Sequence, residues 1–235
     1  MPRPSAAAIS ARCILIADAS EESRRRMNRV LIFDLDGTLI DSRIDIAAAG
    51  NHARQSVGLP KLPLPQVLSY VGDGLDKLIE RLVPDSDRRI AAKQAFESHY
   101  QEHCCVSTVP FDGMVDTLQR LRAAGWTLAV ATNKPTAFTH AILRGCGLAD
   151  YFATVRAGGD GPLKPDPGSL LDILRELAGD ARQSWMIGDH HTDIRAGRAA
   201  GCRVLFCAWG MGHADGDAVD ATAVKPADLC GILGA

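Results

Sequence analysis

The sequence predicts an α/β protein: a doubly wound, Rossmann-like parallel sheet core with an inserted helical cap domain. Three observations carry this. Short apolar runs, each ending in a polar or glycine cluster, read as buried strands. Segments of helical length and pattern separate the later runs, and such alternation favours a parallel sheet covered by helices on both faces. One connection, from Phe33 to Thr127, is far longer than the about a dozen residues that a simple crossover needs.

The elements follow in chain order. Residues 1–28 are assigned to an N-terminal extension. Its stretch "CILIADASEESRRRM" resembles the opening of a response-regulator receiver, but Ala19 follows Asp18, so the acidic pair is incomplete, and nothing downstream continues that pattern. The Ala-rich start with Arg3 is faintly like a signal peptide; Arg12 and the polar run Glu21 to Arg26 argue against it. The core is expected over residues 29–42 and 110–235. Its strands are Val30–Phe33, Thr127–Thr132, Phe152–Ala157, Trp185–Gly188 and Arg203–Ala208. Its helices are Met114–Ala124, Ala137–Cys146, Gly168–Leu177 and Asp193–Ala200. Residues 43–109 are read as the cap, with helices over Ile44–Val57, Gly74–Leu82 and Asp87–Cys104. The Pro-rich "LPKLPLP" and "VPDSD" separate them.

Composition narrows the function classes. Of 235 residues, 46% are hydrophobic and 23% charged, which is ordinary for a globular protein. A net charge of −2 gives no support for nucleic-acid or anionic-membrane partners. No apolar run approaches the roughly 20 residues that span a bilayer. Seven cysteines, an odd set without a CxxC pair, fit reduced thiols in a cytoplasm better than a disulfide framework. The expected setting is cytoplasmic, with no membrane or nucleic-acid partner and the oligomeric state open.

In a parallel sheet the chemistry collects at the carboxyl ends of the strands. "FDLDGTLIDS" follows the first strand, and Asp34 and Asp36, two apart, share one face of extended backbone. Two carboxylates about 4 Å apart repel by roughly 4 kcal/mol at an effective dielectric near 20, which a divalent cation or a proton would relieve. "ATNKP" offers Thr132 and Asn133 after the second strand. Lys164, in "LKPDP", precedes a proline that restricts its backbone. Lys134 is left open between a site residue and a solvated surface charge. "IGDHHTDI" adds Asp189 and Asp193. Oxygen ligands in a mixed acidic and basic site suit Mg²⁺ and a phosphate rather than zinc. His190 and His191 are expected on the loop and helix start without a metal role. As neighbours they should point apart, and no third ligand is spaced nearby.

The ordered motifs Asp-x-Asp-Gly-Thr, Thr132, Lys164 and Gly-Asp-x-x-x-Asp resemble the haloacid dehalogenase superfamily of phosphohydrolases over roughly residues 29–213. "YVGDGLDKLIERL", "TNKPTAFT", "GGDGPLKPDP" and "AAGC" resemble its phosphoglycolate phosphatase branch. Two departures bear on substrate fit: the loop from Gly159 to Lys164 is shorter than in that branch, and His190 replaces a small residue. The resemblance implies that Asp34 is a nucleophile forming an aspartyl-phosphate, and that Asp36 is the acid and then the base. It implies that Thr132, Asn133 and Lys164 hold the phosphoryl group. Mg²⁺ would lie between Asp34, the Asp36 backbone carbonyl and Asp189, with Asp193 supporting. The expected partner is a small phosphorylated metabolite, 2-phosphoglycolate first. The alternatives are a phosphomutase with the same core and, in another class, a receiver that stores phosphate on aspartate.

Overall fold

The structure, a computed structural model, describes residues 28–235. The expected extension therefore lies outside the described residues, apart from Asn28. That residue belongs to the core: its backbone N–H donates to the Ala178 carbonyl at 3.0 Å and its side chain to Leu177 O at 2.7 Å.

Six parallel strands form the central sheet: β1 (Val30–Phe33), β4 (Thr127–Pro135), β5 (Thr154–Gly158), β6 (Trp185–Gly188), β7 (Arg203–Cys207) and β8 (Ala221–Ala223), in the order β5-β4-β1-β6-β7-β8. The order runs outward in both directions from β1, as in a doubly wound sheet, and the switch point falls beside β1. Four buried residues, Val30 to Phe33, explain why β1 reads as an unbroken apolar run. With both sheet faces covered, alternate side chains enter different cores. Leu31 and Phe33 join the larger apolar cluster, while Val30 and Ile32 join the smaller.

Helices α5 (Met114–Ala123), α6 (Thr136–Gly145) and α9 (Asp228–Leu233) contribute to the larger cluster. Helices α7 (Gly168–Glu176) and α8 (His191–Ala199) contribute to the smaller. The long crossover contains α1 (Arg43–Ser56), α2 (Leu64–Leu68), α3 (Leu75–Leu82) and α4 (Arg89–His103). Their apolar faces, including Ile46, Leu78, Leu82, Phe96 and Tyr100, continue the larger cluster above the sheet.

The two chain segments that lead into and out of this helical insert are tied together. Strand β2 (Ile40–Asp41) pairs antiparallel with β3 (Val109–Pro110). Beside this ribbon the Asp45 carboxylate accepts from the N–H groups of Ser107 and Thr108 and from the Thr108 hydroxyl. Among the described residues, no helix is long and apolar enough to cross a membrane, and the six cysteines are free.

Candidate active site

Strands β1, β4 and β6 lie side by side and deliver their first polar residues to one place, under the insert. Asp34 follows β1, Asp189 follows β6, and Thr132 to Lys134 form the end of β4. The backbone helps fix Asp34, whose N–H donates to Ile187 O at 2.9 Å.

Lys164 is 4% exposed and gives its ammonium protons to three acceptors. They are Asp34 Oδ1 at 2.7 Å, Asp193 Oδ1 at 2.6 Å and the Ala131 carbonyl at 2.6 Å. Burial pushes the Asp34 carboxyl up to about 6, with Lys164 opposing and Asp193 adding to the rise. Asp36 does not share Asp34's lysine. Its carboxylate accepts from Lys134 Nζ at 3.0 Å on both oxygens and from Ser42 Oγ at 2.5 Å. The sequence-level repulsion between the two aspartates is thus met by two separate ammonium groups. Lys134 is a buried member of the site, and its third partner is the Tyr100 hydroxyl at 2.8 Å, reaching down from α4 of the insert. Tyr100 carries no motif signal, since its contact with the site depends on how the insert docks; Ser42 ends the motif that holds Asp36 and reaches it locally.

Asp189 is buried and accepts hydrogen bonds from the N–H groups of Met211 (2.9 Å) and Gly212 (2.8 Å) and from Thr38 Oγ1 (3.3 Å). Unlike Asp34 and Asp193, it has no ion-pair partner among the described residues. Burial, then Asp34 and Asp193, pushes its carboxyl up to about 8. Carboxylate oxygens of Asp34, Asp189 and Asp193 all lie within 4.8 Å of one another. Three buried carboxylates with one ammonium between two of them leave excess negative charge, and hard oxygen donors at that spacing fit a divalent cation. The side chain of Asp36 is not in this group.

Asn133 is placed differently from a free phosphate donor. Its Nδ2 donates to the carbonyls of Gly72 (3.1 Å) and Lys164 (2.9 Å), and its Oδ1 accepts from the Lys164 N–H at 2.8 Å. It clasps the Lys164 loop to the insert. The Thr132 hydroxyl accepts from the Lys134 N–H at 3.2 Å and faces the cavity.

That cavity, of about 80 Å³, is bounded by Asp34, Asp36, Thr132, Lys164 and Asp189 below and by Gly72, Gly74, Leu75 and Tyr100 above. It offers on the order of five to eight water-sized positions, which suits a small molecule.

The two adjacent histidines take the expected backbone positions, with His190 the N-cap of α8 and His191 its first residue. His190 Nδ1 accepts from the Thr192 N–H, and Asp193 reaches back to the His190 N–H, forming a capping box. Burial, then the neighbouring His191, pushes His190 down to about 4. Their side chains do not point apart: the ring centroids are 4.0 Å from each other, and His213 joins them from the loop after β7. The expectation that no third ligand is near is therefore corrected. A separation of 22 residues carries no spacing signal, and only the loop's return to α8 brings His213 in.

The model of a family described as haloacid dehalogenase-like hydrolase matches residues 31–207. A protein of Nitrosospira multiformis named phosphoglycolate phosphatase is 36% identical over 207 residues, covering 84% of this chain and 91% of that protein. One of Aquifex aeolicus with the same name is 35% identical over 207 residues, covering 87% and 96%. A crystal structure from Haemophilus somnus, described as a predicted phosphoglycolate phosphatase, superposes with a TM-score of 0.83 at 30% identity, covering 87% of this chain and 97% of that one.

Proposed function

Since this chain belongs to the haloacid dehalogenase-like hydrolases, we propose that it is a Mg²⁺-dependent phosphatase of a small phosphomonoester, with 2-phosphoglycolate the first substrate to test. The observation that carries the reading is the buried triangle of Asp34, Asp189 and Asp193 beside the Lys164 ammonium, with Asp34, Asp189 and Lys164 lining a small cavity. The two relatives named phosphoglycolate phosphatase, matched over most of their length, support the substrate choice.

Asp34 attacks the phosphorus atom and the bond to the ester oxygen breaks, leaving an aspartyl-phosphate and an alkoxide. A carboxylate nucleophile divides one hard hydrolysis into two easier steps. Asp36, aimed by Ser42 and Lys134, gives its proton to the departing alkoxide. The same carboxylate then takes a proton from water, which attacks the phosphorus and returns Asp34 and inorganic phosphate. Lys164 and the Thr132 hydroxyl offset charge on the phosphoryl oxygens during both transfers. Asn133 serves Lys164 by holding its backbone. Asp34, Asp189, Asp193 and the Asp36 carbonyl would hold Mg²⁺, which when bound supplies further neutralisation of phosphoryl charge.

The test is phosphate release from a panel of small phosphomonoesters, with product analysis to separate hydrolysis from transfer to a sugar. Asp34→Asn should fold normally and lose turnover by orders of magnitude. Near-normal release by a well-folded Asp34→Asn protein would remove Asp34 as nucleophile.

A further inference from the structure

Beside the carboxylate triangle lies a second group of donors that the phosphatase chemistry does not use. One ring nitrogen from each of His190, His191 and His213 lies within 4.8 Å of those of the other two. The ring centroids are 4.0 Å apart for His190 and His191, 5.4 Å for His190 and His213, and 5.5 Å for His191 and His213. A second, independent observation falls on the same group. His191 Nδ1 is the one buried side-chain nitrogen or oxygen among the described residues without a hydrogen-bond partner. Buried polar atoms are nearly always satisfied, so an orphan calls for a missing partner.

We propose that His190, His191 and His213 form a binding site for one borderline divalent transition cation, of the class of Zn²⁺, Co²⁺ or Ni²⁺, on the rim of the active-site cavity. Imidazole nitrogens favour these cations, whereas Mg²⁺ favours oxygen, so the trio and the carboxylate triangle select different ions.

The geometry is close to what such an ion needs. With metal–nitrogen distances of about 2.0–2.1 Å, two nitrogens on a tetrahedral ion stand about 3.4 Å apart. The largest separation here exceeds that by at most about 1.4 Å. The same bond length puts two ligating rings about 5.2 Å apart between centroids, near the two spacings that involve His213. The 4.0 Å between the His190 and His191 rings is about 1.2 Å short of that spacing, so binding must turn these two rings apart, while His213, whose side chain is exposed on a loop, closes in. For His190 to ligate through Nε2, its Nδ1 must carry the proton and donate to Thr192 Oγ1, 3.0 Å away, in place of accepting the Thr192 N–H; the His191 backbone lies in the first turn of α8. Such bracing by an outer partner is what ligating histidines ordinarily show. Three protein ligands leave a fourth position to water.

The placement ties this site to the insert. A Cβ at Gly72 would stand 2.7 Å from His190 Nε2, so the backbone of the insert's loop closes directly over the atom that would ligate. The cation would therefore bind at the seam between insert and core, next to the catalytic carboxylates but without drawing on them.

The experiment uses the full chain without a histidine tag, in saturating Mg²⁺, titrated with Co²⁺ and followed by visible absorption and X-ray absorption spectroscopy. One equivalent should bind, with the intense visible bands of nitrogen-ligated, four-coordinate Co²⁺ and with imidazole scattering. His213→Ala, in the exposed loop, and His191→Ala should each weaken binding at least as much as loss of an outer partner does, on the order of 10- to 100-fold. Thermal melts verify that both variants are folded. Mg²⁺-dependent phosphate release by His213→Ala, assayed without Co²⁺, should equal that of the wild type. If Co²⁺ shows only weak oxygen-type bands that Mg²⁺ displaces, the site is refuted. It is equally refuted if both variants keep the nitrogen-type spectrum at wild-type affinity.

Discussion

Lys164 shows how one side chain can make a buried acidic site stable enough to exist. Its ammonium lies between Asp34 and Asp193 and uses its third proton on a backbone carbonyl. Removing one partner from a buried ion pair leaves uncompensated charge and costs about 3–5 kcal/mol. Lys164→Met is expected to lower the denaturant midpoint accordingly and to stop phosphate release. A wild-type midpoint would show that the two carboxylates do not depend on this lysine. Gly37 makes a different demand. Its φ of +82° already favours glycine, and a Cβ there would stand 2.2 Å from Asp189 Oδ2. Gly37→Ala should therefore push Asp189 out of place and raise the Mg²⁺ concentration for half-maximal activity by on the order of 10- to 100-fold. An unchanged Mg²⁺ requirement would mean that the Asp189 position does not set metal affinity. At this scale the sequence is informative where a polar residue lies at or just after the end of a strand, as Asp34, Thr132 and Asp189 do; Lys164, in the loop beyond β5, is singled out only by its proline and its motif. The sequence is silent on Tyr100, and it leaves Lys134 undecided, because only tertiary contact distinguishes a buried lysine from a solvated one.

The elements were legible for a physical reason. Val30–Phe33 and Trp185–Gly188 are buried on both faces, so every residue is apolar or small and the run is unbroken. The sequence pattern ends the Thr127 strand at Thr132, whereas the strand continues to Pro135, since its last polar side chains turn into the site rather than to solvent. The helix Leu64–Leu68 was hidden by prolines that it tolerates only in its first turn. Strand Ala221–Ala223 and helix Asp228–Leu233 are too short to show a period. The loop Val71 to Gly74 leads into α3 and borders the cavity, so it can serve as a capping turn or as a cover over substrate. Gly74 is the N-cap of α3 without a side-chain cap, and Asp73 pairs with Arg81 at 2.5 Å instead of capping. Gly72 and Gly74 both line the cavity. Alanine at either is strained, with φ of +123° and +90° and Cβ positions 2.7 Å from His190 and 2.9 Å from Leu163. The melting temperature of Gly72→Ala/Gly74→Ala should fall in either case, so the discriminating quantity is selectivity. The ratio of kcat/KM for phosphoglycolate to that for a bulkier sugar phosphate should change. A preserved ratio would reduce the loop to a turn.

Across the whole molecule, the sheet concentrates buried negative charge at the end that the insert covers, so folding and cation binding are linked. Without a cation, burial, then Asp34 and Asp193, pushes Asp189 up to about 8, whereas an unfolded aspartate titrates near 3.8. Between those values the folded state holds a proton that the unfolded chain has released. Its stability must then fall as pH rises through that window. A divalent cation binds the ionised carboxylates and offsets this loss. Mg²⁺ at 100 times its Kd should add about 2.7 kcal/mol, or roughly 5–10 °C in Tm for a chain of this size. Because protons compete for the same oxygens, the rise should be small at pH 5 and approach that value at pH 8. Asp189→Asn separates this account from general salt effects. It removes the buried charge, so the metal-free protein should be more stable than wild type at pH 8, and it removes a ligand, so the Mg²⁺-induced rise should disappear. The measurement is Tm with EDTA and with Mg²⁺ at both pH values, for wild type and variant. An equal rise at pH 5 and pH 8, or one that survives in Asp189→Asn, would break the link between this carboxylate and the stability of the fold.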